Sequence, residues 1–279
     1  MMTKPLNTLS NLQQRIIAGL LGGSIIIASV FFSHWSYFFI FLIIQIFSQI
    51  EFYRLVGVDG WNPLKTFGTI IGTIIYSISF LIEIDFLPFE SYFIVFPILS
   101  CIFLIALYKK EHLKPFTNIA YTVLGVVYIA VPFALLNHAA FNSGGYNYQL
   151  ILGLLFLLWS SDSGAYFSGK RFGKTKLFER VSPKKTWEGT LGGTAAALVV
   201  ALILSHYFTS VAIHDWLLMG LIIVVVGTYG DLVESLFKRS ISIKDSGTFI
   251  PGHGGFLDRF DGLLLSAPFI AAYVRIFSI

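Results

Sequence analysis

The chain has 279 residues, is 56% apolar and only 12% charged, and carries a net charge of +4. That charged share is about half the roughly 25% of a soluble domain, which argues against a water-soluble enzyme. The mean hydropathy of +0.77 excludes a disordered chain.

Apolar runs recur near 16–33, 37–50, 67–84, 88–108, 117–137, 148–168, 189–208, 216–237 and 262–279. A helix needs about 20 apolar residues to cross a bilayer, so about nine spans take about 180 residues and leave only short loops. The expected fold is therefore all-α: a polytopic integral membrane protein of about nine transmembrane helices. There is no room for a separate soluble domain. Lys4 and Arg15 precede the first run in the manner of a signal peptide. The polar lead-in is long, and no small-x-small cleavage site follows near Phe31–Ser33, so an uncleaved first span is expected. The second run is short and is expected to continue past Glu51 and Phe52, after a tight turn near Ser33–Ser36. Cys101, the single cysteine, lies in the fourth run, so neither an intramolecular disulfide nor a cysteine zinc site is available.

Lysine and arginine set the orientation. With the N-terminus in the cytoplasm, 18 of the 19 basic residues fall on the inner side and only Arg275 falls outside. The outer loops then carry Glu83, Asp85, Glu90 and Asp215. Gly19/Gly23, Gly68/Gly72 and Gly189/Gly193 are each spaced four apart, which permits close helix approach. They read as packing within the bundle before they read as a dimer seam. Residues 1–150 read as a membrane scaffold with lipid-contacting helices. Residues 151–279 read as the catalytic membrane region, with cytoplasmic loops at 170–188 and 238–261.

The polar chemistry lies in that second part. Between residues 170 and 185 stand seven basic residues and one acid; between 238 and 261 stand four basic residues and three acids. The positive-inside bias accounts for the first stretch. It does not account for the acids, because an ionisable residue in a span is costly and marks a functional site by default. Asp231, Glu234, Ser235 and Lys238 follow helical spacing and share one face. Asp258 and Asp261 are one turn apart at the start of the last span. Convergence of Asp231, Asp258 and Asp261 beside basic residues suggests a hard, oxygen-liking cation, with magnesium natural where phosphates are present. The alternative is structural ion pairing of Asp231 with Lys238 and of Asp258 with Arg259. The Pro251–Gly255 stretch offers backbone N–H groups for a phosphate through Gly254 and Gly255. His253 within it reads equally as a phosphate contact or a structural residue. Asp162, among Ser160, Ser161 and Ser163, either supports the site or bonds those hydroxyls. Ser182, Lys184, Lys185 and Thr186 suit a polyphosphate as donors and point charges, or else a solvated loop leading to a helix cap. No Walker A sequence, G-x-S-x-G elbow or H-E-x-x-H helix is present. The chemistry implied is metal-assisted transfer at a phosphate.

The run from Ser235 to Asp261 resembles the signature of phosphatidate cytidylyltransferases, also called CDP-diacylglycerol synthases. The resemblance rests on Ser235, Lys238-Arg239, Lys244-Asp245, Gly247, Pro251, His253-Gly254-Gly255, Asp258-Arg259 and Asp261. A second block, from Asp162 through Phe172-Gly173-Lys174 to Gly189, is similar to the same family's upstream region. The resemblance implies transfer of a cytidylyl group from CTP to phosphatidate, releasing pyrophosphate. It implies a membrane-embedded homodimer that depends on Mg²⁺, with a monovalent cation such as K⁺ nearby. It implies metal binding by Asp231, Asp258 and Asp261, and phosphate contacts from Lys238, Arg239, Lys244, Arg259 and the basic residues of the upstream block. Membrane lipid is then the expected partner and nucleic acid is not. The expected location is a bacterial plasma (inner) membrane with the site facing the cytoplasm. The rivals are a CTP-dependent lipid or polyprenol kinase and, from another class, an ion-coupled transporter. Clustering of the polar residues at one face rather than at midplane disfavours the transporter.

Overall fold

The computed structural model describes residues 11–109, 114–142, 145–243 and 254–277, with side chains from residue 17 onward. The helices are α1 (Asn11–Phe32), α2 (His34–Val58), α3 (Lys65–Glu83), α4 (Val95–Tyr108), α5 (Pro115–Gly125), α6 (Val131–Ala140), α7 (Tyr148–Phe172), α8 (Trp187–Tyr207), α9 (Ile213–Ser240) and α10 (Leu257–Phe277). A 3₁₀ turn, Phe89–Ile94, leads into α4, and a π-turn, Val126–Ala130, joins α5 to α6 in one rod. Among the described residues eight rods are long and apolar enough to cross a membrane. The apolar stretch Ile17–Phe32 of α1 is shorter. The chain is an all-α polytopic membrane protein whose helices fall where hydropathy places them.

Local chemistry fixes the joints. Ser33 caps α2 reciprocally: its Oγ accepts from Ser36 N at 3.1 Å, while Ser36 Oγ accepts from Ser33 N at 3.0 Å. This is the expected tight turn, and α2 runs on past Glu51 to Val58. Pro132 explains the π-turn. It has no N–H to give the carbonyl four residues back, so the helix widens there and Val131 N–H donates to Val126 O instead.

One expectation needs correction. The basic stretch 170–185 is not simply a loop. Helix α7 continues to Phe172, and the chain then forms an antiparallel hairpin, β3 (Lys176–Phe178) with β4 (Ser182–Thr186). This follows β1 (Phe141–Asn142) and β2 (Gly145–Tyr146), a smaller pair at the opposite end of the bundle. Glu188 staples the root of the second hairpin by accepting from Lys174 N and Thr175 N, both at 3.1 Å. In β2, Tyr146 donates to Val30 O at 2.8 Å, and burial raises its hydroxyl pKa above the ordinary phenol value.

The interior is tied by polar bonds across helices, which in lipid help to hold spans together. Gln49 Nε2 donates to Gly68 O at 2.9 Å, and Tyr53 donates to Thr122 O at 2.7 Å, joining α2 to α3 and α5. The Gly68/Gly72 pair serves this packing: a Cβ at Gly68 would stand 2.1 Å from Tyr53 Oη. By contrast α4 has almost no buried residue and faces outward.

At the end remote from the basic hairpin, Glu83 of α3 joins three elements. It pairs with His138 Nδ1 of α6 at 2.5 Å and with Arg275 of α10, while Tyr92 Oη lies 2.7 Å from His138 Nε2. Arg275, the one basic residue expected on the outer side, is thus held by a carboxylate. Glu83→Gln weakens both pairs, and losing charged hydrogen bonds of this kind costs about 1.5–3 kcal/mol. The expected outcome is a thermal midpoint lower by about 5 °C, measured on the purified protein in detergent.

Candidate functional site

Four helices and a hairpin enclose a cavity of about 670 Å³ at the other end of the bundle. Its walls come from α7, β4, the start of α8, the second half of α9 and the first turns of α10. Glycines make it possible. A Cβ at Gly230 of α9 would stand 2.5 Å from Asp261 O and 3.0 Å from the Gly262 Cα of α10. These two backbones therefore touch, and Asp231 and Asp261, each next to a contact glycine, are brought to one place. Helices α7 and α8 meet in the same way: a Cβ at Gly193 would lie 2.8 Å from Ser161 O. The Gly189/Gly193 pair is thus packing within the bundle.

Asp231, Glu234 and Asp261 each offer a carboxylate oxygen, and these oxygens lie within 4.8 Å of one another. At that separation two unit charges repel by roughly 3.5 kcal/mol in an effective dielectric of about 20. Two lysines offset part of this. Lys185 Nζ of β4 sits 2.7 Å from Asp231 Oδ2 and donates to Thr228 O at 3.1 Å. Lys238 Nζ lies between Glu234 Oε2 at 2.5 Å and Asp258 Oδ1 at 2.7 Å. The ion pairs differ from those the sequence offered as the alternative: Asp231 takes Lys185, and Asp258 takes Lys238. Ser235 donates to Asp231 Oδ1 at 3.3 Å, and Asp261 Oδ1 accepts from Gly262 N at 2.8 Å, so both side chains are steadied.

Ten of the residues singled out from sequence line this one cavity: Asp162, Ser182, Lys184, Lys185, Thr186, Asp231, Lys238, Asp258, Arg259 and Asp261. Thr186 also caps α8, its Oγ1 accepting from Gly189 N at 3.1 Å. Ser160 bonds Leu157 O rather than Asp162. Arg239 is exposed outside the cavity and donates to Ile243 O at 3.2 Å. Gly254 holds a φ of +87°, a conformation suited to glycine, and Gly255 beside it is buried. His253, Lys244 and Asp245 lie outside the described residues.

Several residues at the cavity or just behind it go beyond what the sequence marks. Glu234 joins the carboxylate cluster, although only Asp231 of that pair was assigned to the metal. Thr228 and Gly227 precede Asp231 by one turn and so share its face, a signal that helical spacing could have given. Glu51 of α2 is fully buried and accepts from Phe256 N at 2.8 Å, just before α10. It is an acid within an apolar run, so the rule that picked out Asp231 applies to it equally.

The arrangement balances five carboxylates, Asp162, Asp231, Glu234, Asp258 and Asp261, against Lys170, Lys184, Lys185, Lys238 and Arg259. Such a lining can take a cation at its acidic pole and a polyanion at its basic pole. Sequence comparisons agree in direction. The model of the cytidylyltransferase family matches residues 13–277. A phosphatidate cytidylyltransferase of Haemophilus influenzae is 48% identical over 129 residues, 44% of this chain and 45% of that protein. One from Bacillus subtilis is 41% identical over 164 residues, 58% of this chain and 61% of the relative. One from Staphylococcus aureus is 41% identical over 157 residues, 56% of this chain and 58% of the relative. The chain therefore spans about half the length of the curated relatives it matches.

A side chain at Gly230 must push α9 away from α10 and part the carboxylates. Gly230→Ala is expected to weaken binding of a Mn²⁺ probe by about tenfold or more, the scale on which supporting groups tune a metal site. Electron paramagnetic resonance on the purified protein measures this, with helix content by circular dichroism unchanged.

Proposed function

The chain belongs to the cytidylyltransferase family, and from that premise we propose that it transfers the cytidylyl group of CTP to phosphatidate, giving CDP-diacylglycerol and pyrophosphate. The observation that carries the proposal is the cavity's double character: a three-carboxylate cluster with lysines on both sides of it, at the end of a membrane bundle. The activity for which the relatives are named and the resemblance of the Ser235–Asp261 run support the same substrates.

The reaction needs little acid–base help. A phosphate oxygen of phosphatidate, already anionic, attacks the α-phosphorus of CTP, a new P–O bond forms and the bond to pyrophosphate breaks. The barrier is repulsion between two anions, so positioning and electrostatics carry the catalysis. Three carboxylate oxygens in a partly buried recess form the donor set that a hard divalent cation takes, and their mutual repulsion disfavours leaving them without one. In this reading Asp231, Glu234 and Asp261 would hold Mg²⁺. When bound, it supplies positive charge to orient the triphosphate and to stabilise the leaving pyrophosphate. Asp258, which the sequence placed with the metal ligands, holds Lys238 at the cluster's edge. Lys184, Lys170 and Arg259 supply the further positive charge that a triphosphate needs, and Ser182 and Thr190 offer hydroxyls. Lys185, anchored on Asp231 and Thr228 O, is already in place before substrate arrives.

The site's depth suits both substrates. CTP comes from water, whereas the phosphate of phosphatidate lies at headgroup level with its chains in lipid. The excess of lysine and arginine on the hairpin side supports a cytoplasmic site in a bacterial plasma membrane. The reading includes a homodimer, on the family resemblance.

The test supplies purified protein in detergent–lipid micelles with phosphatidate, α-labelled CTP and Mg²⁺. Label moving into a lipid-extractable product with release of pyrophosphate is the expected result. Label left as water-soluble CDP identifies a kinase. Ion flux in liposomes without nucleotide, with no turnover, identifies a transporter. Asp261→Asn and Asp231→Asn are each expected to lower turnover by more than about 100-fold, with the protein still inserting and purifying as a folded species.

A further inference from the structure

Among the described residues, none immediately ahead of helix α10 carries a capping side chain. The residues before it are Gly254, Gly255 and Phe256, and none has a side chain that can accept from the first-turn amides. The amide immediately ahead of the helix is instead held from 205 positions away in sequence: Glu51 Oε2 of α2 accepts from Phe256 N at 2.8 Å. Glu51 is 0% exposed, and among the described residues no basic side chain pairs with it. A carboxylate buried in a membrane bundle is expensive. Here one carboxyl oxygen meets the N-terminal end of α10, where an acceptor is stabilising.

Helix α2 makes two further contacts. Phe47, one turn before Glu51, stacks on Phe256 with centroids 5.3 Å apart and planes at 15°. Phe52 stacks on Phe237 of α9 at 5.0 Å and 25°. Phe237 directly precedes Lys238, and Phe256 stands two residues before Asp258; Lys238 and Asp258 are the ion pair at the edge of the carboxylate cluster. Helix α2 therefore grips α9 and α10 at the residues flanking that pair, although it contributes no side chain to the cavity wall.

We propose that Glu51 is a positioning residue: by accepting from Phe256 N it fixes the first turn of α10, and with it Asp258 and Asp261 relative to Asp231 and Lys238. This rests on the transferase reading for its effect on rate, but not for its effect on structure. Glu51→Ala removes the acceptor. Glu51→Gln keeps an amide oxygen at the same place.

The experiment uses the full chain in detergent–lipid micelles and reads two quantities. Hydrogen exchange by mass spectrometry over residues 254–261 is expected to quicken about tenfold or more in Glu51→Ala and to stay within about threefold of wild type in Glu51→Gln. The kcat is expected to fall about 10- to 100-fold in Glu51→Ala, the scale of a small misplacement of reacting groups, with KM for CTP within about threefold. Glu51→Gln is expected to restore most of it. Unchanged exchange in Glu51→Ala, or Glu51→Gln as impaired as Glu51→Ala, overturns the proposal. Should Glu51→Ala not fold, Phe47→Ala decides: faster exchange over the same peptide supports the clamp, and unchanged exchange overturns it. Should the wild-type chain make no CDP-diacylglycerol, the transferase reading fails, and the exchange data alone judge the role of Glu51.

Discussion

Backbone contact between α9 and α10 is the constraint on which the site depends. Hydrocarbon gives no hydrophobic drive to bring two helices together, so close packing of small residues must do it. At Gly230 and Gly262 the helices have no side chains between them, and the carboxylates of the neighbouring Asp231 and Asp261 reach a common point. Larger residues there would leave two acids on two separate helices, each facing a partner of its own. The same device at Gly193 and Ser161 sets the opposing wall, from which Asp162 faces the cavity.

That geometry concentrates like charge in a medium that tolerates it poorly, and the rest of the site answers the problem. Lys185 arrives on a strand of the hairpin and Lys238 from one turn along α9, so that Asp231 and Glu234 each have a cation beside them. Glu188 holds the hairpin root, which makes Lys185 part of a braced element rather than a loose loop. The cavity opens at the helix ends rather than at midplane. A charge near the end of a span costs less to bury than one at its middle.

Much of this could be read from the residues alone. Hydropathy located every long rod, because a span must satisfy its backbone internally and be apolar over most of its length. Helical spacing put Asp231, Glu234 and Lys238 on one face, and they do share it. Spacing does not say which neighbouring helix the face meets. Thus Lys238 bridges to Asp258, Lys185 takes Asp231, and Glu234 rather than Asp258 completes the cluster of oxygens. The hairpin at 176–186 was hidden because its strands are short and charged, with no alternation of apolar residues to mark them. Glu51 was hidden for a different reason. A lone acid in an apolar run gives no hint that its partner is a backbone amide 205 residues away.

Helix α10 is fastened at both ends. Its first turn is tied to α2 through Phe256, and its last turn to α3 through Arg275 and Glu83. At 1.5 Å per residue its 21 residues span about 31 Å, close to the hydrocarbon thickness of a bilayer. A strut anchored in this way cannot tilt or slide independently to match a thinner or thicker membrane. Accommodation to lipid thickness then falls to the outward-facing α4, which few buried contacts restrain. The spacing of Asp231 and Asp261 thus rests on contacts within the protein at both ends of α10 and along its seam with α9.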